Sequence, residues 1–184
     1  MRRLFLVTFA ALVVVFPCME VLCQQTDAVE RVSGTGKSII VQASGSEHKY
    51  DFEDDLQLYE IGETKLLFQR RIENSLYLLV HVKGSTTGGG NGYCGAGEEE
   101  YLIWLDLDVR NWDEDDYKVE LIASCAVNIE SVNSESYEIE KGKLTSEYAD
   151  GRDNVKKTLV YDSAKPEKGW VIHQQPVTPA NRYR

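Results

Sequence analysis

The sequence predicts an all-β fold, an antiparallel β-sandwich or barrel of about eight to ten strands with one disulfide. Three observations predict it. Apolar residues recur at every second position through most of the chain after residue 36. Gly, Asn and Asp break that pattern at short intervals. No segment beyond residue 23 combines a helical apolar stripe with capping signals.

The N-terminus comes first. Arg2 and Arg3 form a short basic region, and Leu4 to Phe16 is apolar and uncharged. This run is shorter than the roughly 20 residues of a membrane span. With Val21-Leu22-Cys23 ahead of Gln24 it has the pattern of a cleavable secretory signal, residues 1–23. Residues 24–36 are polar and aperiodic, and read as a flexible lead-in. Residues 37–175 then form the β-rich domain, and 176–184, with Pro176 and Pro179, an extended tail.

Strand candidates follow in order. Lys37 to Ser44 is β-branched and closes at Gly45-Ser46. Lys49 to Phe52 and Leu56 to Ile61 flank an acidic corner, Glu53-Asp54-Asp55. Thr64 to Ile72 and Leu76 to Lys83 read as a hairpin about Glu73-Asn74-Ser75. Glu99 to Val109 alternates Tyr101, Ile103, Leu105 and Leu107 against Leu102, Trp104, Asp106 and Asp108. Asn111 to Asp116 is an acidic turn. Tyr117 to Glu130 reads as one long strand with Val119, Leu121, Ala123, Cys125, Val127 and Ile129 on its apolar face; only Ile122 and Ala126 blur the period. Tyr137 to Glu140, Lys143 to Tyr148, Val155 to Tyr161 and Trp170 to Gln174 complete the set.

The formal charge of −10 becomes −11 when residues 1–23 leave, because they carry Arg2, Arg3 and Glu20. Such a surface repels nucleic acid and anionic membranes, and its electrostatic partners are cations or basic proteins. No stable membrane anchor is expected after cleavage. Export to a periplasm or the extracellular medium places Cys94 and Cys125 in an oxidising compartment, where they are expected to form a disulfide. On the strand reading Cys125 is buried beneath the Gly84–Gly97 loop.

Each motif has a limited chemistry. Gly88, Gly89, Gly90, Asn91 and Gly92 can turn the backbone freely. A phosphate loop needs GxxxxGK[ST] between strand and helix, and here Glu98, Glu99 and Glu100 follow instead. The loop therefore reads as a pinned hairpin connection that presents a binding surface, with Tyr93, Trp104 and Trp112 beside it. Asp106, Asp108, Asp113 and Asp115 are the candidate ligands of a calcium ion, the only cofactor the sequence suggests, although EF-hand spacing is missing. Paired carboxylates such as Asp106 and Glu100 raise glycoside hydrolysis as an alternative. His48, His81 and His173 lack ligand spacing, and no GxSxG elbow occurs, so they read as ordinary strand or surface residues. The functional expectation is an exported, non-catalytic binding module for a protein partner, such as a basic enzyme that it inhibits. The alternatives are an acid-dependent hydrolase and a calcium-stabilised structural module.

Overall fold

The computed structural model describes residues 29–86 and 98–177. The described chain is nearly all β, with one short 3-10 turn at Pro166–Lys168. Three strands, β1 (Val29–Thr35), β2 (Ser38–Ala43) and β3 (Ser46–Asp51), form an antiparallel meander. The rest form a nine-stranded sheet: β4 (Glu60–Ile72), β5 (Ser75–Ser85), β6 (Glu98–Asp108), β7 (Asp113–Ser124), β8 (Ile129–Ser131), β9 (Glu138–Glu140), β10 (Lys143–Asp150), β11 (Val155–Asp162) and β12 (Trp170–Pro176). Its order is β12-β11-β10-β8-β7-β6-β5-β4, with β9 beside β10, and every pairing is antiparallel.

Two apolar cores lie on opposite faces of β5 and β6. The meander covers one face. There Ile39, Val41 and Phe52 pack with Leu78, Val80, Ile103 and Leu105. On the other face Tyr77, Leu79, Leu102 and Trp104 meet Leu144, Tyr148, Leu159, Tyr161 and Trp170. The large sheet therefore curls until β10–β12 cover its own β5–β6 face. Phe68 of β4 lies 5.5 Å from Tyr161 of β11, and the Arg70 guanidinium donates to the Ser163 carbonyl at 3.1 Å. Apolar residues at both parities of β5 and β6 are what such double burial requires.

Several elements depart from the sequence reading. β1 occupies most of the segment read as a lead-in, because pairing with β2 and packing of Val29 outweigh its weak pattern. Of the Leu56 to Ile61 candidate, only Glu60 and Ile61 are strand, at the start of β4; Leu56 and Leu58 are buried from an irregular loop. The long strand from Tyr117 breaks at residues 125–128, where Asn128 adopts φ 56°. Cys125 is consequently exposed in that turn rather than buried on a strand face. The blur at Ile122 also has a cause. Tyr101 pairs with Leu121 and Glu100 with Ala123, so Ile122 is an extra residue in a bulge. It turns into the second core, fully buried.

Candidate functional site

The meander and the β6–β7 hairpin meet at one end of the molecule. His48 of β3 stacks on Trp112 at 4.3 Å, the Tyr50 hydroxyl donates to the Trp112 carbonyl at 2.9 Å, and Phe52 packs edge-on against Tyr117. Trp112 holds a left-handed φ of 62° in the tight turn after β6. These contacts bring two acidic segments together. The Tyr117 hydroxyl donates to Asp55 at 2.9 Å, joining the Glu53–Asp55 corner to the Asp113–Asp116 start of β7.

The field there is negative, and several groups feel it. Burial raises the Asp106 carboxyl, and Asp115, Asp116 and Asp108 raise it further. Burial also raises Glu114, with Asp116 and Asp55 adding to it. Tyr50 is pushed up to about 12 by burial, then by Glu114 and Asp113. Tyr117 is raised first by its bond to Asp55. Among the described residues little cation is at hand to offset this. Arg110 is held by Asp108 through a forked ion pair, and Lys49 lies 3.9 Å from Asp51.

The four aspartates expected to bind calcium sit in different settings, and Asp115 acts on Asp106 and Arg110 through its charge. Asp108 is clamped by Arg110, and its pKa falls to about 2 for that reason. Asp113 accepts from the Asn111 amide at 2.6 Å. One oxygen of Asp106 is buried without a hydrogen-bond partner. Among the described residues no three His, Cys, Asp or Glu side chains are grouped to hold a metal ion.

Of the expected contact surface, only Trp104 and Trp112 lie among the described residues. Gly88, Gly89, Gly90, Asn91, Tyr93 and Cys94 lie outside the described residues, and so does the Cys94–Cys125 pairing. Trp104 is only 2% exposed, because the rolled sheet covers β6 on both faces. It stacks on Tyr77, carries the Lys118 ammonium over its ring, and donates to the Pro166 carbonyl at 3.0 Å. Trp112 follows the far end of β6, about 34 Å from the Glu98 end at the usual rise per residue. Asp106 and Glu100 are six positions apart on one strand, about 20 Å, which is too far for a glycosidase pair.

Two ionic clusters at the margins of the second core escaped the sequence reading. Glu100 accepts from His81 Nε2 at 3.0 Å, from Lys83 Nζ at 2.8 Å and from the Ser136 hydroxyl. Tyr137 packs edge-on over the His81 ring. Burial alone would raise Glu100; the donors from His81, Lys83 and Ser136 outweigh it and bring the carboxyl down to about 2. The second cluster centres on Asp150, which is fully buried. Arg152 donates to it at 2.8 Å and Lys157 at 3.0 Å. Lys157 also lies 3.7 Å from Glu120, which accepts from the Tyr148 hydroxyl at 2.6 Å. Arg152 is the main cause that holds Asp150 well below the usual carboxylate range. Both clusters are cross-strand assemblies: Lys83 faces Glu100, and Asp150 ends the strand that Lys157 pairs with. Only the register reveals them. In the first cluster the Ser136 hydroxyl is given to Glu100 rather than to His81, so no nucleophile–base pair is formed there.

Among the described residues, no helix is long and apolar enough to cross a membrane. No family model, curated protein or solved structure matches this chain.

Proposed function

We propose that this chain is an exported binding module whose acidic end receives a basic protein partner. One observation supports the reading above others. The Glu53–Asp55 and Asp113–Asp116 segments, far apart in sequence, converge through the Tyr117–Asp55 bond into a single surface with little compensating cation among the described residues. Concentrated negative charge steers a cationic partner and sets its orientation. Export follows from the residue 1–23 signal pattern. In that compartment Cys94 and Cys125 form a disulfide, which ties the turn after β7 to the Gly88–Tyr93 segment. That segment then supplies a second contact surface.

The test uses the exported protein and poly-lysine as the cationic probe. Neutralising Asp54, Asp55, Asp115 and Asp116 to Asn should weaken binding about tenfold or more, equivalent to about 1.4 kcal/mol. Neutralising Glu135, Glu138, Glu140 and Glu167 to Gln removes the same charge elsewhere and should change it little. An equal loss in both variants would mean that only net charge acts, and the site would be abandoned. N-terminal sequencing of the exported chain should start at Gln24.

A further inference from the structure

A second surface feature stands apart from the acidic end. At the far end of β7, about 37 Å away at the strand rise, a groove of about 350 Å³ opens on the outer side of the sheet. Its volume falls in the range of small-molecule sites, roughly 300–1,000 Å³. Asn128, Glu130, Ala149, Asp150, Gly151, Asn154 and Val177 line it.

The groove is built and held. The Gly151 amide donates to the Asn128 carbonyl at 2.9 Å, and the Val177 amide donates to the Asn154 carbonyl at 2.9 Å. Both asparagines sit in left-handed turns, φ 56° and 54°, a conformation that Asn tolerates better than most residues. Gly151 is needed for the close approach: a Cβ there would meet the Asn128 side-chain nitrogen at 2.1 Å. The strand end beneath is fixed by Asp150, which points into the core toward Arg152 and Lys157. These two backbone bonds tie the turns together. The carboxamides of Asn128 and Asn154 and the carboxylate of Glu130 are left without a hydrogen bond or ion pair among the described residues, although polar side chains around them are paired.

We propose that this groove binds a neutral saccharide through neighbouring hydroxyls. A carboxamide offers a donor beside an acceptor, and a carboxylate offers two acceptors. Adjacent ring hydroxyls, each donor and acceptor, match that set. An anionic ligand is disfavoured, because Glu130 is in the lining and Arg152 is already committed to Asp150. A bare cation leaves most of the volume unused and finds one uncommitted carboxylate, Glu130, because Asp150 is held by Arg152 and Lys157. The Ala149 methyl and the Val177 side chain offer the apolar contact that the C–H face of a sugar takes. With no aromatic ring in the lining, binding should be weak, with Kd in the millimolar range.

The experiment is two-dimensional amide NMR of the exported protein titrated separately with glucose, galactose and mannose. At least one sugar should give saturable shifts confined to Asn128, Glu130, Gly151 and Asn154. The Glu130→Gln, Asn154→Gly double variant should bind about tenfold more weakly; Gly keeps the left-handed turn, and an otherwise unchanged spectrum confirms the fold. Absence of saturation with all three sugars overturns the proposal, as do equal shifts in wild type and variant. A calcium titration that saturates these residues while the sugars do not would overturn it in favour of a cation site.

Discussion

Glu100 concentrates the residue-scale argument. Its three donors lower its folded pKa to about 2 from an ordinary 4.5. A carboxyl depressed by folding contributes stability that is present above its unfolded pKa and lost as pH falls through the folded one. Glu100→Gln should therefore lower stability at pH 7 by on the order of 3 kcal/mol. The gap from wild type should close between about pH 4.5 and 2, as followed by urea unfolding across that range. A pH-independent gap would show that the loss is packing rather than charge. Asp106 and Glu114 work with the opposite sign. Their folded pKa values are raised, so they cost stability as pH rises through them, and neutralising them to Asn and Gln should be mildly stabilising at pH 7. The Asp150 cluster makes a sharper case. Asp150→Asn leaves Lys157 nearly buried with only the more distant Glu120, and a stranded buried charge costs about 3–5 kcal/mol. Chemical denaturation measures it; a loss below about 1 kcal/mol would mean that water reaches Lys157 freely.

At the scale of elements, backbone departures decide the shape. Gly62 and Leu67 are the extra residues of β4, where Ile61 and Glu63, then Leu66 and Phe68, pair with adjacent residues of β5. Each bulge adds twist, and together they let one strand face the first core at Leu66 and the second at Phe68. Gly84 permits the crossing of the segment before β4. A Cβ there would lie 2.2 Å from the Glu60 carbonyl and 2.9 Å from Leu58 Cδ1. Backbone cannot yield as a side chain does, so Gly84→Ala should destabilise by about 2 kcal/mol or more, read as a lowered Tm. Gly62→Ala, which meets only ordinary contacts, is the control. These positions also explain what the residues disclosed. The hairpin of β4 and β5 was legible because alternation and turn residues agreed, as they did for β6, β10, β11 and β12. β1 was not, because VERVSGT carries no clean alternation and is held by its partner strand. The break after Ser124 was hidden because Val127 and Ile129 continue the parity of Val119 and Leu121. The acidic segments were legible one by one. Their meeting was not, because it rests on Tyr117 and Asp55, 62 residues apart. Trp104 misled because a single strand pattern does not say how many faces will be covered.

The whole molecule is one sheet that serves two cores. Leu78 and Leu79 are neighbours in β5 and both are fully buried, yet Leu78 packs under the meander and Leu79 under the rolled half. β5 and β6 thus have no solvent face along most of their length, and neither covering layer can leave without exposing them. That geometry predicts a single cooperative transition rather than stepwise loss of the meander. Leu78→Ala and Leu79→Ala should each cost about 2–5 kcal/mol, the range for emptying a packed site. Either change should lower the same transition for every probe. Trp104 and Trp170 report the second core, and Trp112 reports the contact of the β6–β7 turn with the meander. Single-tryptophan variants would follow each region separately, with Phe in place of the other two rings. If Leu78→Ala brought the Trp112 signal to an earlier midpoint while Trp104 and Trp170 kept theirs, the two cores would be independent units. Coincident midpoints, shifted together, are expected because the strands that separate the cores belong to both.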